Sequence, residues 1–128
     1  MVRYDIATPN HVIIDMYGVD FRVANDLEGI RALSREVVER LRSDMVGEMY
    51  KQLEPQGVIY VALLLQSHVS VHTWPEVGYV AVDVYTCGEI PVTEIVEDVL
   101  GFFRPRKHVV RFLSRPVLEP QEGDPAEP

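Results

Sequence analysis

The alternation of apolar and polar positions divides the chain into short elements separated by glycine, proline and acidic turns. His11 to Tyr17 reads His-Val-Ile-Ile-Asp-Met-Tyr and is closed by Gly18, which predicts a strand. Beyond it Leu27, Ile30, Leu33, Val37, Val38 and Leu41 recur at spacings of three and four, the helical period. Asn25 or Asp26 supplies the N-cap, and Arg31, Arg35, Glu36, Glu39 and Arg40 take the wet side. A weaker pattern predicts a second strand over Val46 to Leu53, and Pro55 to Gly57 is a turn signal. Gly57 to Gln66 is almost wholly apolar, which predicts a central strand covered on both faces, by helices and a partner subunit.

From Ser67 to Trp74 the pattern changes. His68, Ser70, His72 and Trp74 share one strand face, and Val69 and Val71 share the other. Pro75, Glu76 and Gly78 mark a turn, and Tyr79 to Tyr85 is a strand with Val80, Val82 and Val84 on one face. So short a connection makes these two strands antiparallel neighbours. A second helix is predicted over Thr93 to Phe103, capped by Thr93 and ended by Pro105. His108 to Leu113 is the last strand. The order of elements argues for an α+β fold, a two-layer sandwich of an antiparallel sheet packed against helices. Residues 1–115 read as one domain, and 116–128 as a frayed tail rich in proline and acid.

Composition narrows the function. The 128 residues carry a formal net charge of -8. Glu119, Glu122, Asp124 and Glu127 put half of that excess in the tail. An acidic chain without a basic patch predicts no nucleic-acid and no membrane partner. The longest apolar run, Val58 to Leu65, is too short to span a bilayer. The N-terminus shows no basic segment followed by an apolar region, so a cytoplasmic location is expected. A single cysteine, Cys87, excludes an intrachain disulfide and a metal site built on several thiolates.

Between Ser67 and Cys87 lie two serines, two histidines, a tryptophan, a glutamate and the lone cysteine. Such groups on one face of an apolar strand pair are either a hydrogen-bonded core or a site. A histidine and a hydroxyl at spacing two are compatible with a general base beside a nucleophile. His68, His72 and Glu76 are the candidate metal ligands, a reading set below the metal-free one because a strand and its turn converge poorly. Hydrolase and phosphate-loop motifs are absent.

The run Ser67-His68-Val69-Ser70-Val71-His72-Thr73-Trp74-Pro75-Glu76, then Gly78-Tyr79, Ala81-Val82-Asp83 and Thr86-Cys87-Gly88, resembles the core signature of the prokaryotic, pyruvoyl-dependent S-adenosylmethionine decarboxylase proenzymes. The resemblance is dense and ungapped over this run and extends more weakly over most of the chain except the tail. It implies cleavage between Gln66 and Ser67, with Ser67 becoming a covalent pyruvoyl group that forms a Schiff base with the substrate amine. It further implies His72 as acid/base in processing, Cys87 as proton donor, Trp74 and Glu76 as substrate contacts, no metal, a homodimer and a place in spermidine synthesis.

The departures cluster in the site. Gln66 stands where the family pattern has Glu. Ile59 stands where it has a serine that helps cyclisation, and Tyr60 where it has a small residue. Leu53 stands at the adenine-stacking aromatic. In the first strand, Asp15 replaces Glu and Val19 replaces Cys. Tyr60 offers a replacement hydroxyl. The alternatives are a decarboxylase of another amino acid such as arginine on the same scaffold, favoured by Leu53, and an uncleaved non-enzymatic paralogue, favoured by Ile59 and Gln66.

Overall fold

The computed structural model describes residues 8–119 and 121–123. Val12, Ile14 and Met16 alternate with His11, Ile13 and Asp15 along β1 (His11–Tyr17), so the strand buries one face completely and leaves the other half-buried. The same period-two alternation runs through β3 (Val58–Leu64), β4 (Ser67–Trp74) and β5 (Tyr79–Tyr85). With β2 (Met45–Gln52) and β6 (Lys107–Leu113) they form one sheet in the order β2-β3-β4-β5-β1-β6, and each neighbouring pair is antiparallel.

The helices α1 (Phe21–Ala24), α2 (Leu27–Arg40) and α3 (Val96–Phe103) complete the fold. Ile30, Leu33, Val37 and Val38 of α2 join Val99 and Phe103 of α3 in one core with the inward residues of the sheet. Each such side chain contributes roughly 1.5–3 kcal/mol on burial. Asp26 caps α2 by accepting from the Gly29 N–H at 2.9 Å. Asn25 acts elsewhere. Its Oδ1 accepts from the Gly57 N–H and from Gln52 Nε2, tying the first helices to the end of β2.

Two expectations are corrected. The apolar strand β3 is second from the edge rather than central, and its face away from the core is left for a surface outside the chain. Ile59, Val61 and Leu63 stay 39%, 40% and 57% exposed. The predicted second helix begins as a 3-10 turn, Val92–Ile95, so Ile95 rather than Thr93 holds the cap position of α3, without a side-chain bond. The short α1 lay unread because four residues are too few to show a period. The weak pattern over β2 has a plain cause: it is the edge strand, with a register shift between Met45 and Gly47. Residues 114–119 and 121–123 carry neither helix nor strand, and the rest of the expected tail lies outside the described residues. No described helix is long and apolar enough to cross a membrane.

Candidate active site

Strands β3 and β4 are joined by the two-residue turn Leu65–Gln66, with Leu64 opposite Ser67. Gln66 takes a φ of 64°, the left-handed region that costs a non-glycine residue about 1–2 kcal/mol. The peptide bond after this strained residue is the one between Gln66 and Ser67. Ser67 is 8% exposed, and its Oγ accepts from the Cys87 backbone N–H at 3.2 Å. A cleft of about 260 Å³ opens here, lined among others by Arg42, Asp44, Gln66, Ser67, Thr86 and Glu89. The turn thus presents a serine hydroxyl, a strained carbonyl before it and the cysteine segment at one place.

On the helix-free face at this end of the sheet, three strands converge. Tyr85 on β5 is the register partner of His68 on β4 and of His11 on β1. Asp83, two residues back on the same face, accepts from His11 Nε2 and from His68 Nε2, the latter at 3.1 Å. Burial pushes the Asp83 carboxyl up, but the two histidine hydrogen bonds and their charge outweigh it and hold the group below its ordinary value. A carboxylate depressed in the fold stabilises above its unfolded pKa, near 4, and loses that stability as pH falls through its lower folded value. Asp83→Asn is therefore expected to lower stability at pH 7, with the deficit narrowing below about pH 4. Urea midpoints of both proteins at pH 7 and pH 3 check this; a deficit unchanged between the two pH values contradicts it.

His11, His68 and Asp83 offer ligand atoms within 4.8 Å of one another and are the group among the described residues that could hold a metal ion. Their mutual hydrogen bonds already join the carboxylate to both rings. The trio His68, His72 and Glu76 weighed from sequence is not brought together.

The remaining predicted residues sit at the other end of β4. His72 and Trp74 lie on the helix-free face, their rings stacked at 6.4 Å, and Trp74 continues onto Tyr79 at 5.2 Å and Tyr79 onto Tyr17 at 5.4 Å. Tyr79 donates to Asp15 Oδ1 at 2.6 Å, and this bond first, then burial, pushes its hydroxyl up to about 12, so it stays a donor. Glu76 is exposed on the 3-10 turn Pro75–Val77. Gly78 closes that turn at φ 70° and packs so tightly that a Cβ would lie 3.1 Å from the Val19 carbonyl oxygen. Leu53 packs beside Gly57 near Thr73, at this same end. His72 and Ser67 are thus separated by five strand residues, about 17 Å at roughly 3.3 Å each, and their side chains leave opposite faces. Within one chain the two do not meet.

Two departures acquire a location. Ile59 is the register partner of His72, so the hydroxyl expected by resemblance is missing directly across from that histidine. Tyr60 does not replace it. Its ring is fully buried under α2 and its hydroxyl donates to Glu48 Oε2 at 2.7 Å, itself paired with Arg31 and Arg35. Burial first, then Glu48, pushes the Tyr60 hydroxyl up to about 12.

Sequence reasoning missed Tyr85, and did not join His11 and Asp83 to His68. The period-two pattern of β5 puts Asp83 and Tyr85 on one face, but only the register of three strands brings the histidines to them.

A sequence model of the family described as S-adenosylmethionine decarboxylase matches residues 10–116. The chain is 34% identical over 113 residues to an S-adenosylmethionine decarboxylase proenzyme of Methanococcus maripaludis strain C7, covering 88% of this chain and 93% of that one. It is 37% identical over 116 residues to the protein of that name from Brevibacillus brevis, covering 90% and 87%. The crystal structure of the adenosylmethionine decarboxylase from Aquifex aeolicus VF5 superposes with a TM-score of 0.78 at 31% identity, covering 89% of this chain and 95% of that one. Fold and likeness together define the class, an α+β carboxy-lyase. The chain belongs to the S-adenosylmethionine decarboxylase family.

Proposed function

We propose that this protein decarboxylates S-adenosylmethionine through a pyruvoyl group made from its own Ser67, and so feeds the aminopropyl transfer of spermidine synthesis in the cytoplasm. The carrying observation is the hairpin: Ser67 follows a left-handed Gln66, has its Oγ engaged by the Cys87 amide and borders an open cleft. Relatives 34% and 37% identical to this chain are named S-adenosylmethionine decarboxylase proenzymes.

The residues present fit the group. The Ser67 Oγ attacks the Gln66 carbonyl, and the amide becomes an ester as the Ser67 nitrogen takes a proton. Loss of the Ser67 Cα proton expels the Gln66 carboxylate by elimination. Hydrolysis of the resulting enamine releases ammonia and leaves a ketone at the new N-terminus. Relief of the left-handed turn at Gln66 favours opening of the bond. The finished group supplies an electron sink, which a departing α-carboxylate needs. Cys87 then returns a proton from its Sγ to the α-carbon, and Trp74, Glu76 and Leu53 line the nucleoside end.

The separation of Ser67 from His72 bears on assembly. A homodimer stacked through the helix-free sheet faces brings the His72 end of one copy over the exposed Gln66 turn of the other, beside the bond to be cut. The exposed Ile59, Val61, Leu63, Trp74 and Tyr17 on that face are the apolar surface such a partner covers.

The test is intact mass and product. Wild-type protein is expected to run as two fragments split between Gln66 and Ser67, the second blocked at its N-terminus, and to release carbon dioxide from S-adenosylmethionine. Ser67→Ala is expected to leave a single 14.6 kDa chain with no turnover. Release from arginine instead moves the substrate assignment, and turnover by Ser67→Ala sinks the mechanism.

A further inference from the structure

The Cys87 thiol has a neighbour with no part in the chemistry described so far. Its Sγ and the Tyr85 hydroxyl are in hydrogen-bond contact at 3.4 Å. Tyr85 is held from three sides. The Arg115 guanidinium lies over its ring at 4.8 Å, and the His11 and His68 rings pack against it at 5.5 and 5.9 Å. Asp83 locks both histidines by accepting from each. A phenol ring fixed in this way has one free torsion left, that of its O–H, and the group within reach of that proton is the Cys87 sulfur.

We propose that Tyr85 is the positioning residue for Cys87: it fixes the thiol at the Ser67 end of the site and stabilises the thiolate that remains once the proton has left. The proposal rests on Cys87 being the proton donor. In the resting arrangement the S–H donates to the phenol oxygen. When the proton passes from Sγ to the substrate's α-carbon, the sulfur keeps the bonding pair and becomes a thiolate. The hydroxyl then turns and donates to it, a charge-assisted bond stronger than the one it replaces. No proton leaves Tyr85, and the thiolate is reprotonated from water. The interaction is therefore worth more after proton transfer than before, the condition for it to favour that step.

Two further observations agree. With the hydroxyl donating to the sulfur, the hydrogen bond to Cys87 first, and burial second, hold the Tyr85 proton more firmly than in a free phenol, so the group remains a donor when the sulfur is charged. The Cys87 backbone N–H is also fixed, on Ser67 Oγ, so the segment is pinned at its amide and its side chain together. The charged and titratable groups around the pair are His11, His68, Asp83 and Arg115.

Because Cys87 is the only cysteine, its reactivity can be read without ambiguity. The experiment compares iodoacetamide alkylation rates against pH for Ser67→Ala and for Ser67→Ala with Tyr85→Phe, both uncleaved, with circular dichroism and thermal melting as fold controls. Tyr85→Phe is expected to slow alkylation at pH 8 by about threefold or more and to displace the rate–pH curve to higher pH, since thiolate is the reacting form. A buried Val82→Ala variant, which loosens the sheet without touching the pair, is expected to leave the curve in place. Superimposable curves for the two Tyr85 proteins overturn the proposal, as does a displacement equal to that of Val82→Ala. In the processed protein, Tyr85→Phe is expected to lower kcat about tenfold with KM and the rate of self-cleavage unchanged. A displaced alkylation curve without any decarboxylation by wild type refutes the decarboxylase reading alone; decarboxylation with an unchanged curve and unchanged kcat refutes the role of Tyr85 alone.

Discussion

Co-expression of a Ser67→Ala chain with a His72→Ala chain is expected to restore cleavage that neither variant shows alone. Ser67 and His72 stand on one strand about 17 Å apart, at roughly 3.3 Å per residue, with side chains on opposite faces. An acid/base must come within about 3 Å of the proton it moves, directly or through one water. A chain therefore cannot serve its own serine while β4 remains in the sheet. In a mixed pair of the proposed homodimer, the His72→Ala chain keeps its Ser67 and is expected to meet the intact histidine of the Ser67→Ala chain. The reciprocal site lacks both groups and stays dead. The readout is an intact-mass measurement with the two chains carrying tags of different size: only the His72→Ala chain is cut. Loss of a positioned acid/base costs about 10²–10⁴ in rate, so homodimers of either variant stay uncut on the timescale of preparation. Absence of cleavage in the mixture, or cleavage of His72→Ala by itself, removes the shared site.

The second large effect runs in the opposite direction. Ile59→Ser is expected to accelerate self-cleavage by about 10²-fold, the scale of one donor that stabilises an oxyanion. Ile59 faces His72 across the β3–β4 ladder, so the new hydroxyl enters beside the histidine and leaves the core untouched. Ile59 is 39% exposed within the chain, so the substitution removes little apolar burial there, and a thermal melt should fall only slightly. A time course of fragment appearance on a denaturing gel measures the rate. An unchanged rate would show that the hydroxyl at this position is not what cleavage lacks. Tyr60, one residue on, is no substitute: it points to the opposite face and is engaged with Glu48. Position 59 and position 60 differ by one residue in sequence and by the whole thickness of the sheet in space.

Period two along His11 to Tyr17 and along Tyr79 to Tyr85, and period three-to-four along Leu27 to Leu41, are local consequences of side-chain direction. They were legible without tertiary contact, and so was the antiparallel sandwich they imply. Ser67, Gln66 and Cys87 were singled out by their motif, and the hairpin brings them to one place. The apolar run of β3 did not give its place in the sheet, because apolarity reports burial without saying by what. Its outer face awaits a surface that no described residue of this chain provides. Thr93 looked like a cap because capping residues are identified by type, whereas a 3-10 turn tightened the approach and moved the helix start to Val96.

The sequence by itself determined the strands, the main helix and the candidate site residues, because each depends on neighbours within a few positions. The tertiary structure decided which of those residues share a site. The register of β1, β4 and β5 gathered His11, His68 and Asp83 around Tyr85, whose hydroxyl meets the Cys87 sulfur. The length of β4 held His72 and Trp74 away from Ser67, although all stand within eight residues of one motif. An extended strand keeps sequence neighbours apart, and only strand pairing turns distant positions into contacts.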